Sequence, residues 1–250
     1  MESFCFKEFK VRQSHSAMKV NTDGVLLGAW LSLPSVSSFR ALDIGTGTGV
    51  IALIVAQRLS KVYPTSSKDL FSIYAIDIDK PSVEEAIYNF SQSPWAGHLM
   101  AREMSLQDLL SANTQVKYDL IVSNPPYFID SLKAPSARRS SARHNHDLPY
   151  QSIIDSAIQM LKDDGILTVV LPADEGERFI KLATMGYLQL ARRCKVKTLA
   201  DKKEKRYLLE FTKSPQSGNV QEEVLIMQQT GGLEYTEQYK DLTKEFYLKF

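Results

Sequence analysis

Cysteine is scarce in this sequence. The two cysteines, Cys5 and Cys194, stand far apart and have no C-x-x-C spacing. The sequence therefore offers neither the paired spacing of a cysteine zinc site nor a disulfide framework. Two isolated thiols are typical of a protein in a reducing compartment, and we expect a cytoplasmic location.

Long apolar runs and a large net charge are also missing. No apolar run approaches the roughly 20 residues of a membrane helix, and the first residues lack the basic-then-apolar pattern of a secretion signal. The formal net charge of +1 excludes a globally basic nucleic-acid binder but leaves local patches open. With 250 residues, 44% of them hydrophobic, the chain predicts one α/β domain over residues 1–250, without a membrane span.

The most informative glycines stand in one segment, between an apolar strand at 40–44 and a helix at 50–59. They are Gly45, Gly47 and Gly49. A strand, a glycine loop and a helix together bring backbone N–H groups and a helix N-terminus against a ligand. The pattern is Asp-x-Gly-x-Gly-x-Gly, starting at Asp43, and differs from the G-x-G-x-x-G of dinucleotide folds. A carboxylate before the loop disfavours a pyrophosphate and favours an ammonium group. The pattern resembles the first motif of S-adenosylmethionine-dependent methyltransferases, which implies S-adenosyl-L-methionine as the cofactor.

The next predicted strand, residues 71–79, ends in two acids. An acid at the end of the second strand of such a fold can accept both hydroxyls of a ribose, and we assign Asp77 to this role. Asp79 stands just before the helix that starts at Pro81, so it fits an N-cap.

A third strand is predicted at 99–104, followed by a turn at Ser105 and Leu106. Methyltransferases resembling this chain often place an acid at this turn, where it binds the adenine of the cofactor. Here the corresponding residue is Ser105, and we count Ser105 and Leu106 among the cofactor-binding candidates. Asp108 is the alternative, although an acid at a helix N-terminus has a simpler explanation in the helix dipole.

The fourth strand, residues 118–122, leads into Asn124, Pro125, Pro126 and Tyr127. The prolines restrict the backbone of Asn124 and Pro125. The Asn124 side-chain carbonyl and the Pro125 main-chain carbonyl are acceptors that can take the two hydrogens of an exocyclic amino group, since Pro126 has no N–H. Tyr127 can stack on the ring that carries this amino group. Taken alone, the segment could also be a turn that ends a buried strand.

The positions of these segments favour the functional interpretation. Ligands of open α/β sheets bind beyond the carboxyl ends of the strands, where the strand order reverses. The glycine loop and the segment 124–127 are expected to meet there. We therefore predict Asn124 to Tyr127 as catalytic and Asn124 as a cofactor contact as well.

The first 38 residues predict an N-terminal arm and a cap helix, before a catalytic core at 39–250. Apolar and polar residues alternate loosely from Phe4 to Val11, which indicates a short strand or hairpin. Thr22 or Asp23 fits the N-cap of a buried helix. Both are also cofactor-binding candidates.

Two basic segments are candidates for contact with the substrate. Residues 128–149 form a long polar loop that is either a lid, a substrate contact or a solvated loop. Its candidates are Arg143 and His144, and we expect no metal because His144 and His146 have no third ligand. The strands predicted at 187–197 and 206–211 are joined by a basic connection, which indicates either a phosphate-contacting patch or an ordinary charged surface. Its candidates are Arg192, Arg193, Lys202 and Lys203.

Nearly the whole chain resembles the family of adenine-N-methyltransferases that modify valine tRNA next to the anticodon. The matching residues are 18–20, 22–30, the glycine loop, 124–127, 142–144 and 246–250. The resemblance implies a Rossmann-like class I α/β fold with a seven-stranded, mostly parallel sheet, helices on both faces and an antiparallel strand pair at the C-terminal edge. It further implies S-adenosyl-L-methionine-dependent methylation of the 6-amino group of an adenine in the anticodon loop, with tRNA as the partner of a monomer.

Three alternatives remain. A glutamine-amide methylase acting on a release factor normally has a sizeable helical N-terminal domain, and only about forty residues precede the glycine loop here. A DNA adenine methylase needs a target-recognition domain, for which this chain has no room. A non-catalytic RNA-binding scaffold has no need of Asp43, the glycines and Asn124 together.

Overall fold

Eight strands form the central sheet of the computed structural model, which describes residues 2–63, 70–112, 115–126, 150–214 and 219–250. The sheet strands are β3 (Phe39–Ile44), β4 (Phe71–Asp77), β5 (Leu99–Glu103), β6 (Tyr118–Ser123), β7 (Leu161–Pro172), β8 (Gln189–Lys197), β9 (Arg206–Thr212) and β10 (Gln221–Ile226). A separate N-terminal hairpin pairs β1 (Ser3–Cys5) with β2 (Lys10–Arg12), as the loose alternation predicts.

Helices cover both faces of this sheet. Those in the described residues are α1 (Thr22–Trp30), α2 (Val50–Ser60), α3 (Lys80–Ser91), α4 (Leu106–Ser111), α5 (Tyr150–Met160), α6 (Ala173–Met185) and α7 (Glu237–Thr243). Two clusters of buried apolar side chains lie between the helices and the sheet. Helix α1 lies close against α2, since a Cβ added to Gly28 would be 2.8 Å from Ile54.

The strand order is β10-β8-β9-β7-β6-β3-β4-β5, and every neighbouring pair is parallel except those of β9. The α/β class and the antiparallel β8–β9 pair are confirmed. The expected count of seven strands is wrong by one, because β10 adds to the sheet in parallel with β8. Strand β10 pairs with the free edge of β8 and is itself the edge strand of the sheet. Its Leu225 is buried, which favours this position over a solvent-exposed one.

The carboxyl ends of the central strands fix the position of the site. Ile44, the last residue of β3, pairs with Ile76 on β4 and with Ser123 on β6. The strand order reverses here, because the chain runs from β3 to β4 and β5 on one side and returns with β6 on the other. Gly45, Asp77 and Asn124 follow these paired positions and lie at one end of the sheet.

Several predicted boundaries differ from the structure. The N-cap of α1 is Asn21, whose Oδ1 accepts a hydrogen bond from Gly24 N at 2.9 Å, and neither Thr22 nor Asp23 has this role. The asparagine is favoured because its short side chain reaches the third N–H of the helix from extended backbone. The second predicted strand, 71–79, is shorter in the structure, where β4 ends at Asp77.

Some predicted features lie outside the described residues. They are Tyr127 and the loop 128–149 with Arg143 and His144. Among the described helices, each is too short or too polar to cross a bilayer.

Candidate active site

The glycine loop connects β3 to α2 through left-handed backbone. Gly45, Gly47 and Gly49 have φ values of 71°, 56° and 82°, which only glycine adopts at little cost. Gly49 is also the N-cap of α2, and a Cβ there would lie 2.5 Å from a ring carbon of Phe90 on α3. The loop is thus held by its own conformation and by the close approach of α3.

Asp43 lies beneath this loop and is fully buried. Its Oδ2 accepts a hydrogen bond from Thr46 Oγ1 at 2.7 Å, whereas Oδ1 has no hydrogen-bond partner among the described residues. Burial raises the pKa of the Asp43 carboxyl from 3.8 to about 7; the Thr46 hydrogen bond opposes this shift, and the nearby Asp77 carboxylate adds to it. A buried carboxylate with a free acceptor is a favourable neighbour for a cationic ligand.

Asp77 ends β4 beside the loop. Its Oδ2 accepts a hydrogen bond from Gly47 N at 2.8 Å, and its Oδ1 accepts one from Asp79 N at 2.9 Å. Burial raises the pKa of this carboxyl as well. An ionised carboxylate has about four lone-pair sites, so Asp77 keeps acceptor capacity for the two hydroxyls of a ribose.

Asp79 has the structural role predicted for it. Its Oδ2 accepts hydrogen bonds from Ser82 N at 3.2 Å and from Ser82 Oγ at 2.6 Å, and it is the N-cap of α3. The two acids at the end of β4 therefore have different roles. Asp77 bonds to the glycine loop, and Asp79 is the N-cap of α3.

Ser105 is the N-cap of α4. Its Oγ accepts a hydrogen bond from Asp108 N at 3.0 Å and donates one to Asp108 Oδ2 at 2.6 Å. The preceding residue, Met104, donates its N–H to the Asp77 carbonyl at 2.9 Å, which brings this turn next to the second strand. Leu106 is buried. The two candidates for adenine contact, Ser105 and Asp108, are thus bonded to each other at the same edge of the site.

Asn124 follows directly after the buried end of β6. Ser123 Oγ donates a hydrogen bond to the carbonyl of Ile44 at 2.8 Å, which fixes the end of β6 against the end of β3. Asn124 and Pro126 are half-buried and Pro125 is buried. Ile44 and Ser123 are paired at the ends of two adjacent strands. The glycine loop starts directly after Ile44, and the Asn-Pro-Pro segment starts directly after Ser123.

Two supporting residues were absent from the sequence candidates. Thr46 stands three positions after Asp43, a spacing at which a short hydroxyl side chain in a tight loop can bond back to the acid. Ser123 is the polar end of an otherwise apolar run, and this contrast was available in the sequence as a signal.

Asp23 contacts the far side of the same edge. Its carboxylate forms an ion pair with Arg206, the first residue of β9, which pairs with Pro172 at the end of β7. Burial lowers the pKa of Arg206. The pair ties the start of α1 to the sheet, and the cofactor contact of Thr22 and Asp23 stays a prediction.

Arg192 is engaged within the protein. Its Nε lies 2.6 Å from Glu223 Oε1, its Nη1 lies 3.7 Å from Glu210 Oε2, and its guanidinium stacks 4.1 Å from the centre of the Trp30 ring. Both carboxylates come from neighbouring strands. The guanidinium therefore connects β8, β9, β10 and α1.

Arg193 is similarly paired, whereas the lysines of the β8–β9 connection are exposed. Arg193 lies 2.6 Å from Glu222 and 2.9 Å from Glu177. Lys202 and Lys203 are exposed, and Lys202 approaches Asp201 at 3.6 Å. The β8–β9 connection follows the carboxyl end of β8, so these lysines stand at the same edge of the sheet as the glycine loop.

The charges of the site suit a positively charged small molecule. Among the described residues, neither Asp43 nor Asp77 forms an ion pair, whereas Asp23 at the same edge pairs with Arg206. A cationic ligand would balance these two acids, and Gly47 leaves space beside the backbone, since a Cβ there would meet only Ser16 Oγ of the described part of the chain, at 3.9 Å. The described residues contain no group of three or more His, Cys, Asp or Glu that could hold a metal ion.

Comparison with known proteins agrees with this geometry. Residues 15–195 match the model of the methyltransferase small domain. A tRNA1(Val) (adenine(37)-N6)-methyltransferase of Bacteroides thetaiotaomicron is 41% identical over 245 residues, which cover 98% of this chain and 97% of that protein. The chain belongs to this methyltransferase family. Its relative of the same name in Tolumonas auensis is 37% identical over 247 residues, covering 99% of this chain and 97% of that protein.

Solved structures support the fold of this methyltransferase. A predicted O-methyltransferase from Agrobacterium tumefaciens, protein Atu636, superposes with a TM-score of 0.63 at 16% identity, covering 90% of this chain and 96% of that chain. TYW2 from Pyrococcus horikoshii, in complex with MeSAdo, superposes with a TM-score of 0.54 at 15% identity. The match covers 85% of this chain and 71% of that chain. At these identities the likeness shows the class I methyltransferase fold alone.

Proposed function

We propose that this methyltransferase uses S-adenosyl-L-methionine to methylate the 6-amino group of an adenine in tRNA, namely adenine 37 of tRNA1(Val) as in the names of its relatives. The observation that carries the proposal is the pairing of Ile44 with Ser123. It brings the start of the glycine loop and Asn124 to adjacent strand ends, so a cofactor on the loop and an amino group at Asn124 share one space.

The cofactor half of the site consists of the glycine loop with Asp43, Asp77 and the Ser105–Leu106 turn. The loop would contact the methionine part, Asp77 the ribose, and the turn the adenine. When bound, S-adenosyl-L-methionine supplies a methyl group activated by the sulfonium. Asp43 supplies negative charge beneath the loop, and this charge favours a cation over a phosphate.

The substrate half is centred on Asn124 and Pro125. The 6-amino nitrogen of adenine is a poor nucleophile because its lone pair is delocalised into the ring. The carbonyls of these two residues accept its hydrogens, which favours the pyramidal form and orients the lone pair toward the cofactor side. The contribution is orientation, so no covalent nucleophile is needed. Tyr127, outside the described residues, is proposed to stack on the base.

The RNA would lie across the carboxyl edge of the sheet. An anticodon-loop base is already unpaired, so placing it in the site costs less than flipping a base from a duplex. Arg192 and Arg193 already bind carboxylates, and the proposed phosphate contacts are therefore Lys202 and Lys203, together with Arg143 and His144. The proposal includes a cytoplasmic monomer with a single domain, and light scattering tests the monomeric state.

The test uses purified protein, S-adenosyl-L-methionine with a labelled methyl group, and total tRNA from cells that lack this modification. Nucleoside analysis is expected to find the label in N6-methyladenosine. Asn124→Ala should lower kcat by roughly 100-fold to 1,000-fold, the loss typical of a removed transition-state hydrogen bond. Asn219→Ala, an exposed asparagine just before β10, is the matched control. Label found only in guanine, or only in added protein, would overturn the substrate.

A further inference from the structure

Residues 12–16, which we call the strap, cross one face of α3 beside the glycine loop. Three polar side chains of α3 face the strap, Ser82, Glu85 and Asn89, and they are 2%, 0% and 1% exposed. Their spacing of three and four positions places them on one side of the helix. Polar groups this deeply buried need partners, and the strap provides them.

Glu85 binds three consecutive backbone N–H groups of the strap. Its Oε1 accepts hydrogen bonds from Ser14 N at 2.7 Å and His15 N at 3.0 Å, and its Oε2 accepts one from Ser16 N at 2.8 Å. Arg12 Nε approaches the same carboxylate at 3.5 Å. Successive N–H groups converging on one carboxylate form an anion-binding concavity, here filled by the protein's own side chain.

Asn89 connects the strap to the glycine loop. Its Oδ1 accepts a hydrogen bond from Arg12 N at 2.8 Å, and its Nδ2 donates to the carbonyls of Arg12 at 3.0 Å and Thr48 at 2.9 Å. At the other end of the strap, Ser16 Oγ lies 2.9 Å from Ser82 Oγ, and a Cβ added to Gly47 would be 3.9 Å from Ser16 Oγ. The strap is therefore connected to the loop through Asn89 at one end and approaches the loop directly at Ser16 at the other.

We propose that Glu85 is a positioning residue for the cofactor: it holds the strap on α3 so that residues 14–16 complete one wall of the glycine-loop site. Helix α3 also starts at Asp79, whose N–H binds Asp77. One helix thus orders the strap, the loop and the ribose acid. Asn124 lies on the other side of β3, so a loosened strap is expected to affect cofactor binding and leave the transfer step intact.

The test compares Glu85→Gln with Glu84→Gln, which changes the exposed neighbouring residue on the same helix. The amide introduced by Glu85→Gln keeps one acceptor oxygen and presents N–H groups to the strap donors. We expect the Kd of S-adenosyl-L-methionine, measured by calorimetry, to rise roughly tenfold in Glu85→Gln, as for one lost charge-assisted hydrogen bond. Hydrogen exchange of the amides of residues 14–16 should accelerate. The KM for the cofactor should rise with the Kd, while kcat at saturating cofactor stays within about twofold.

A second variant protects the test against misfolding of the first. His15→Pro removes one of the three donors from an exposed position on the strap and leaves α3 unchanged, and the same rise in Kd is expected. An unchanged Kd in a folded variant with a faster-exchanging strap would overturn the proposal. So would a fall in kcat at saturating cofactor as large as the fall in kcat/KM. The inference rests on one part of the proposed function, the binding of S-adenosyl-L-methionine, and does not depend on the tRNA substrate. A native protein that binds S-adenosyl-L-methionine but methylates no tRNA would overturn that function and leave the comparison of Kd values intact.

Discussion

The two sides of the carboxyl edge use their charges differently. On the side of the glycine loop, burial raises the pKa of Asp43 and Asp77, and neither carboxylate forms an ion pair with another described residue. On the side of β8, Arg192 and Arg193 each contact two carboxylates. Both groups are prominent in the sequence. We therefore base the proposed ligand site on the charges that the fold leaves unpaired, and not on the segments where charges are most numerous.

The energetics of the β8 side fit a structural role. Burial alone would raise the pKa of Glu223, but hydrogen bonds from Arg192 and Trp30 bring it below its ordinary value. Burial raises the pKa of Glu210, which Arg192 opposes. Removing Arg192 would therefore break the ion pair of the buried Glu210, which would keep its hydrogen bonds from Ser32. Lys202 and Lys203 in the β8–β9 connection are exposed and do not neutralise any buried carboxylate of the described chain.

Asp43→Asn should show the largest effect, on the dependence of stability on pH. The folded-state pKa of Asp43, about 7, lies above its ordinary 3.8. Folding therefore favours the protonated form, so the carboxyl's contribution is fully present below about pH 4 and is lost as the pH rises to 7. Between pH 5 and pH 8 the unfolding free energy of the variant, relative to the native protein, should increase by roughly 3 kcal/mol.

Urea unfolding at both pH values measures this change, with the exposed Asp201→Asn as control. The same variant should bind S-adenosyl-L-methionine more weakly at pH 8, because its cation loses a negative neighbour. A stability difference that is equal at pH 5 and pH 8 would contradict the view of Asp43 as a strained, ligand-directed acid.

Arg192→Ala tests the β8 side of the comparison, where we expect an effect on stability. We expect a loss of about 3 kcal/mol in unfolding free energy, since the buried Glu210 would lose its ion pair and keep only its hydrogen bonds from Ser32. The KM for tRNA in the folded protein should not change. Thermal and urea unfolding measure the first quantity and steady-state methylation the second. Arg178→Ala, an exposed arginine on α6, serves as the control. A raised KM for tRNA with unchanged stability would place Arg192 in the RNA interface.

Lys202→Ala combined with Lys203→Ala should have the smallest effect of the three. Unlike Arg192→Ala, it should change the affinity for tRNA and leave the stability unchanged. The KM for tRNA should rise roughly tenfold, and the slope of log affinity against log salt should become shallower by about 1.4, or 0.7 for each lost phosphate contact. The melting temperature should not change, since both side chains are exposed. Lys181→Ala with Lys249→Ala removes the same charge elsewhere, and an equal rise in KM there would argue against a local contact.

The local parts of the site could be predicted from the sequence. Asp77 and Asn124 each end an apolar run, and a parallel sheet brings such ends together, so their positions followed from the order of the strands. The pairing of Arg192 with Glu223 could not be predicted in this way. It depends on β10 joining the sheet beside β8, whereas the sequence predicts only a short strand at 223–227 and does not indicate its neighbour.

Glu85 shows a second limit of the sequence. A polar residue on an amphipathic helix is normally assigned to the solvated face, and nothing near Glu85 in the sequence indicates a buried partner. Its three donors stand about seventy positions earlier, in a segment without regular structure. Such backbone-to-side-chain contacts are set by tertiary packing and leave no local periodicity.

The N-terminal hairpin that leads into the strap packs against the C-terminal segment of the described chain. Phe6 forms a β-bridge with Tyr247 and stacks on its ring, with centroids 6.0 Å apart, and Lys7 N donates to the Phe246 carbonyl at 2.9 Å. On a ribosome, the hairpin emerges early and its partner about 240 residues later, a delay of roughly 10 to 50 s at ordinary rates of translation. Phe9 of the same hairpin packs edge-on against Trp95, which is synthesised much sooner. We therefore expect the hairpin to be covered in two stages, first around Phe9 and only later around Phe6.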